Sequence, residues 1–159
     1  MNLTTHESIM EKAYREAEKA YQAEEVPIGA VIVAEGKIVG KGYNMVESLQ
    51  DPTAHAEMIA ITAAANSLNS WRLDHAVLYV TKEPCPMCAG AIYLARIPQV
   101  VFGVSDSRMG ACGTALDVLQ NPHLHASVTV TQGILETKCL GILQTFFQQI
   151  REKSKKPER

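Results

Sequence analysis

The sequence predicts an α/β fold of three layers, with helices on both faces of a five-stranded mixed sheet. Three observations predict it. Runs rich in β-branched residues alternate with amphipathic stretches along most of the chain. Two of those runs are separated only by Glu35-Gly36, which imposes an antiparallel hairpin. The later runs are separated by helical stretches, and each such passage favours a right-handed crossover into a parallel neighbour. The 159 residues suit one domain that buries its core without disulfides. Its boundary falls at residue 150, and residues 151–159 form a basic tail.

Thr4 and Glu7 form a capping box ahead of Ile9, Ala13, Ala17, Ala20 and Tyr21, which recur at three- and four-residue steps. An amphipathic helix therefore opens the chain and stops near Val26-Pro27. Ile28 to Ala34 is a continuous apolar run, the pattern of a strand covered on both faces. Lys37 to Tyr43 is the second arm of the hairpin, where Gly40 and Gly42 mark bends or the close approach of another element. After Asn44 a polar loop leads to Asp51, which can cap a helix that has Pro52 in its first turn and runs through Ala65. A third strand, Ala76 to Thr81, delivers the chain to Cys85 and a helix reaching about Ala95. Gln99 to Val104 is the fourth strand. A loop containing Gly110 and Gly113 follows, then a short helical turn at Leu116 to Leu119, a loop with His123 and His125, and a fifth strand at Ser127 to Thr131. The last helix starts near Glu136, and Leu140, Ile142, Leu143, Phe146, Phe147 and Ile150 give it a wide apolar stripe.

No apolar run reaches the length of a membrane span, and Met1 to Glu7 lacks the basic and apolar regions of a secretion signal. The expected compartment is the cytoplasm, which keeps thiols reduced. Cysteines 85, 88, 112 and 139 therefore do not read as two disulfides. A net charge of −2 argues against a protein that coats nucleic acid by neutralising phosphates alone. Residues 151–159 nevertheless carry five basic and two acidic side chains. That tail can meet RNA, and a solvated terminus accounts for the same charges.

Glu83-Pro84-Cys85-Pro86-Met87-Cys88-Ala89-Gly90 is hard to explain by folding alone. Cys85 at a helix N-cap, with Pro86 in the first helical position, places two sulfurs where the macrodipole favours thiolate. That form serves a metal site and a thioredoxin-like redox pair equally. His55-Ala56-Glu57 breaks the tie by adding a nitrogen ligand and a carboxylate. The combination resembles the H-x-E and P-C-x-x-C pattern of zinc-dependent nucleobase deaminases. His55, Cys85 and Cys88 are one ligand short of a closed structural site, as a catalytic zinc requires, and Glu57 can serve as proton carrier. Cys112 or Cys139 as a fourth ligand would make the zinc structural; most simply both are small buried residues. Residues two apart on a helix diverge, so convergence of His55 and Glu57 requires an irregular first turn. His6, His75, His123 and His125 read as surface or loop histidines, and at least one of Phe146 and Phe147 as core.

With these residues in place, the sequence closely resembles the bacterial tRNA-specific adenosine deaminases of the cytidine deaminase fold. The resemblance spans nearly the whole chain, through Val26-Pro27-Ile28-Gly29-Ala30-Val31, Asp51 to Glu57, Leu78 to Thr81, Glu83 to Ala91 and Val100 to Gly103. Guanine and cytosine deaminases share the H-A-E and P-C-x-x-C segments. The more discriminating stretch is Arg96 to Gly103 with Asp106, Arg108, Gly110 to Thr114 and Asp117 to Leu119. The resemblance implies hydrolytic conversion of adenosine to inosine at the wobble position of a tRNA anticodon, by a homodimer with one zinc per subunit. By resemblance, His55, Cys85 and Cys88 hold zinc and Glu57 shuttles protons. Asn44 contacts the base with backbone help from Ala56 and Pro84, while Asp106, Arg108, Phe147 and Arg151 position flanking nucleotides of the anticodon stem-loop. Gln148, Gln149 and Ile150 lie where some members carry arginines. A free guanine or cytosine deaminase is the alternative enzyme; a C-x-x-C redox protein and an inactive zinc-bearing RNA-binding module are alternatives of other classes.

Overall fold

Two residues turn the chain into its first pair of strands. Glu35 and Gly36 both adopt positive φ, 51° and 73°, the twist that joins strands through a two-residue turn. They link β1 (Gly29–Ala34) to β2 (Lys37–Tyr43). Every residue of β1 is buried, as its unbroken apolar run requires, because it lies between β2 and β3 (Ala76–Lys82). The computed structural model describes residues 5–124 and 127–156. Thr4, His125, Pro157, Glu158 and Arg159, all invoked in the sequence reading or its tail, lie outside the described residues.

The sheet order is β2-β1-β3-β4-β5, completed by β4 (Gln99–Val104) and β5 (Thr129–Thr131). β1 is antiparallel to both β2 and β3, while β3–β4 and β4–β5 are parallel. The sheet is mixed, as expected, but the first crossover differs from expectation. The passage from β2 returns a strand in the same direction, yet β3 docks beside β1, so β1 lies between the two parallel strands.

α1 (His6–Gln22) and α5 (Glu136–Ser154) pack on one face, where Met10, Ala13, Val31, Tyr79, Val101 and Cys139 share a core. α3 (Ala56–Leu68) and α4 (Pro86–Leu94) cover the other, around Ala60, Leu78, Ile92 and Phe102. The N-cap of α1 is Thr5, whose Oγ1 accepts from the Ser8 N–H at 3.1 Å.

Four elements depart from the sequence reading. The helix assigned to Asp51 and Pro52 begins at Ala56. Asp51 instead accepts from the Thr53 N–H at 2.8 Å and closes a local turn. The polar loop after Asn44 contains a short helix, α2 (Val46–Leu49). No helix forms at Leu116 to Leu119, where an antiparallel bridge joins Cys112 to Asp117. On α5 the apolar stripe is split. Cys139, Leu143 and Phe146 are buried, whereas Leu140, Phe147 and Ile150 are exposed. That helix continues through Arg151 and Lys153, across the boundary expected after residue 150.

Candidate active site

Gly40 and Gly42 fix the position of α3. A Cβ at Gly40 would overlap the carbonyl oxygen of Ala60, and one at Gly42 that of Ala56, so the helix lies directly on β2. This contact brings the first turn of α3 to the end of the sheet where β3 and β4 finish. His55 is the N-cap, extended at φ −76° and ψ 155°, and Glu57 lies in the first helical turn. The change of backbone conformation between them is the irregularity that lets residues two apart face one place.

From β3 the chain passes through Glu83 and Pro84 into α4, with Cys85 as N-cap and Pro86 in the first helical position. The Ala89 N–H donates to the Cys85 carbonyl at 2.9 Å, which turns Cys88 back toward Cys85. His55 Nδ1 lies 3.5 Å from both cysteine sulfurs, and the three donor atoms fall within 4.8 Å of one another. On a tetrahedral zinc, ligands at about 2.05 and 2.3 Å stand about 3.6 Å apart. The three donors therefore fit the ion. Cys112 and Cys139 are buried and free, and neither belongs to this group. Burial pushes the Cys112 thiol up, and raises Cys139 to about 11.

Proton sharing within the group is uneven. A hydrogen bond with the Cys88 thiol, helped by His55, lowers Cys85 to about 4, while the same bond and burial push Cys88 up. Hydrogen bonding to Cys85 raises His55 against the opposing effect of burial. Glu57 is buried, and burial lifts its carboxyl above the ordinary carboxylate range despite its own backbone N–H, the Cys88 thiol and His55.

A cavity of about 350 Å³ opens beside this group, lined by Asn44, His55, Ala56, Glu57, Cys85 and Asp106 among others. The Asn44 side chain is fixed at both ends. Its Nδ2 donates to the Val26 carbonyl, and its Oδ1 accepts from the Val46 N–H, both at 3.3 Å. One N–H and one lone pair remain for a ligand. Arg108, Phe147 and Arg151 lie outside this cavity, in a neighbouring one of about 350 Å³ that also contains Asp106. Pro84 lines neither; its carbonyl accepts from the Ala111 N–H at 2.9 Å.

Three further residues shape the site in ways that the sequence does not show. Glu83 is buried and accepts from the N–H groups of Asp106, Cys112 and Thr114 at 3.0–3.2 Å and from the Thr114 hydroxyl, tying the loop after β4 to the segment before Cys85. Glu25, also buried, accepts from the N–H groups of Glu47 and Ser48 and so anchors α2 beside Asn44. Lys82 pairs with Asp106 at 3.1 Å. The motif containing Glu83 was visible in sequence, but not its four donors, and nothing in sequence distinguishes buried Glu25 from exposed Glu24.

A mixed sheet that delivers two helix starts to one His/Cys/Cys group, with a buried glutamate alongside, defines a zinc-dependent deaminase. The model for the cytidine and deoxycytidylate deaminase zinc-binding region matches residues 3–104. A tRNA-specific adenosine deaminase of Bacillus subtilis is 46% identical over 153 residues, 96% of this chain and 95% of that protein. A structure from work on A-to-I editing by tRNA:A34 deaminases superposes with a TM-score of 0.81 at 41% identity, covering 84% of this chain and 97% of the other. A guanine deaminase structure from Bacillus subtilis gives 0.63 at 33% identity, covering 98% and 99%. The chain belongs to the tRNA-specific adenosine deaminase family within the cytidine and deoxycytidylate deaminases.

Proposed function

We propose that the protein hydrolyses adenosine to inosine at the wobble position of a tRNA anticodon, releasing ammonia. The observation that carries this reading is the buried Glu57 carboxyl in the same cavity as His55 and Cys85, which with buried Cys88 form the metal-binding group. His55, Cys85 and Cys88 would hold one zinc per subunit, and the ion when bound supplies the Lewis acidity that makes water nucleophilic near neutral pH. Glu57 takes a proton from the attacking water, gives it to the adenine ring nitrogen N1, and carries the second proton to the departing amine at C6. Its raised proton affinity suits both acceptance and return. Asn44, oriented by Val26 and Val46, presents its remaining donor and acceptor to the base. The second cavity supports a polynucleotide substrate, because exposed Phe147 offers a stacking face and Arg108 and Arg151 offer cations beside the base site.

Exposed Leu94, Met109 and Leu116 support a homodimer, and a tRNA substrate supports a cytoplasmic location. No helix among the described residues is long and apolar enough to cross a membrane. The test incubates zinc-loaded protein with tRNA, free adenine, guanine and cytosine. Inosine in tRNA with equimolar ammonia is expected, whereas ammonia from guanine or cytosine alone would establish the free-base alternative. Sedimentation at twice the 17.4 kDa chain mass is expected for the dimer.

A further inference from the structure

Lys82 is the last residue of β3, and its half-buried side chain lines both the base cavity and the cavity that contains Phe147. Among the described residues it is the only lysine or arginine lining the base cavity, against the carboxylates of Glu25, Glu47, Glu57, Glu83 and Asp106. Among the described residues, only Lys82 and Asp106 belong to both cavities. If a target nucleoside occupies the first cavity and an adjacent nucleotide the second, the phosphate joining them must cross the rim these two residues share. Asp106 repels a phosphate; an ammonium group attracts one.

We infer that Lys82 is a binding residue for the phosphate linking the target adenosine to its neighbour, a role that rests on the tRNA reading above. In the free protein its Nζ is held 3.1 Å from Asp106 Oδ2. The carboxylate is itself anchored by the Arg108 and Met109 N–H groups on its other oxygen, so it holds the ammonium at the rim. A lysine is a compact charge on a flexible stem, able to keep Asp106 while turning toward an arriving phosphate.

The test measures affinity for an anticodon stem-loop from 50 to 200 mM salt with wild type, Lys82→Gln and Lys82→Arg, and repeats the glutamine change in an Asp106→Asn background. One phosphate contact on a single strand contributes about 0.7 to the log-log salt slope. Lys82→Gln should weaken binding on the order of tenfold at low salt and flatten the slope by about that amount, so its deficit shrinks about 2.6-fold across the range. Lys82→Arg should keep the slope, and the flattening should persist without the Asp106 charge. A stem-loop carrying a neutral methylphosphonate at the linking position should bind wild type and Lys82→Gln equally. An unchanged slope, a loss confined to the Asp106-containing background, or an equal penalty on methylphosphonate and native RNA would each overturn the inference. Failure of wild type to form inosine in tRNA would overturn the underlying reading, whatever the lysine variants do.

Discussion

At the scale of single residues, the proposed reaction separates metal holding by His55, Cys85 and Cys88 from proton handling by Glu57. Glu57→Gln preserves size and hydrogen bonding but cannot accept a proton, so zinc content and fold should be retained. The single-turnover rate should fall by about 10²–10⁴-fold. Retained zinc with near-normal turnover would assign the base to another group. Proton linkage provides a second prediction. In the metal-free site Cys85 is already thiolate, Cys88 holds its proton, and His55 retains one to higher pH than usual. Zinc needs both thiolates and a neutral imidazole, so uptake expels about one proton from Cys88 and, as pH falls, a growing share of a second from His55. Zinc affinity should therefore rise about tenfold per pH unit where Cys88 alone is protonated, and more steeply at lower pH. Calorimetric titration in buffers of different ionisation enthalpy reads the proton count. All four residues were legible in sequence because their spacing is chemical. Glu25 and Glu83 were not, because their importance comes from backbone N–H groups supplied by distant segments.

At the scale of elements, legibility followed local signals. The Glu35-Gly36 turn, the Cys85 cap and the Gln99–Val104 strand stand where the sequence puts them, since each is specified by residues within it or beside it. The start of α3 was missed because Asp51 and Pro52 satisfy a turn as readily as a helix start. The four-residue α2 has no side-chain cap to announce it and is held by Glu25. Gly40 and Gly42 were legible as bends or close approaches; the structure makes them close approaches, and the element that approaches is α3, the carrier of Glu57. Gly42→Ala should push against the Ala56 carbonyl in the first turn of α3. Destabilisation of about 1–3 kcal/mol is expected, with weaker zinc binding as His55 shifts. Gly141→Ala meets nothing within 4 Å in the interior of α5 and should stabilise by about 0.5–1 kcal/mol. Urea unfolding with and without zinc measures both. Equal effects of the two changes would mean that α3 does not depend on that close approach.

Across the whole molecule, net charge conceals its distribution. The −2 total hides a +3 segment at residues 151–159, and α5 carries the start of that segment from the protein body to the cavity containing Phe147. Its buried residues end at Phe146, so among the described residues truncation after Ile150 removes cations without removing core. Lys153 does pair with Glu24 at 3.1 Å, but both side chains are largely exposed and the pair contributes little to stability. The truncation should therefore leave the melting temperature nearly unchanged while weakening tRNA binding. Arg108→Ala should act in the same direction, because its guanidinium belongs to the same cavity. Each lost phosphate contact should flatten the salt slope by about 0.7–0.9, with the single-turnover rate at saturating enzyme close to wild type. Glu57→Gln should do the reverse, binding tRNA with normal salt dependence and failing to deaminate it. Affinity across several salt concentrations, paired with single-turnover rates for all three variants, separates the two contributions. Unchanged affinity and slope after truncation would make the basic segment a solvated helix end, leaving recognition to the residues around Asn44, Asp106 and Phe147.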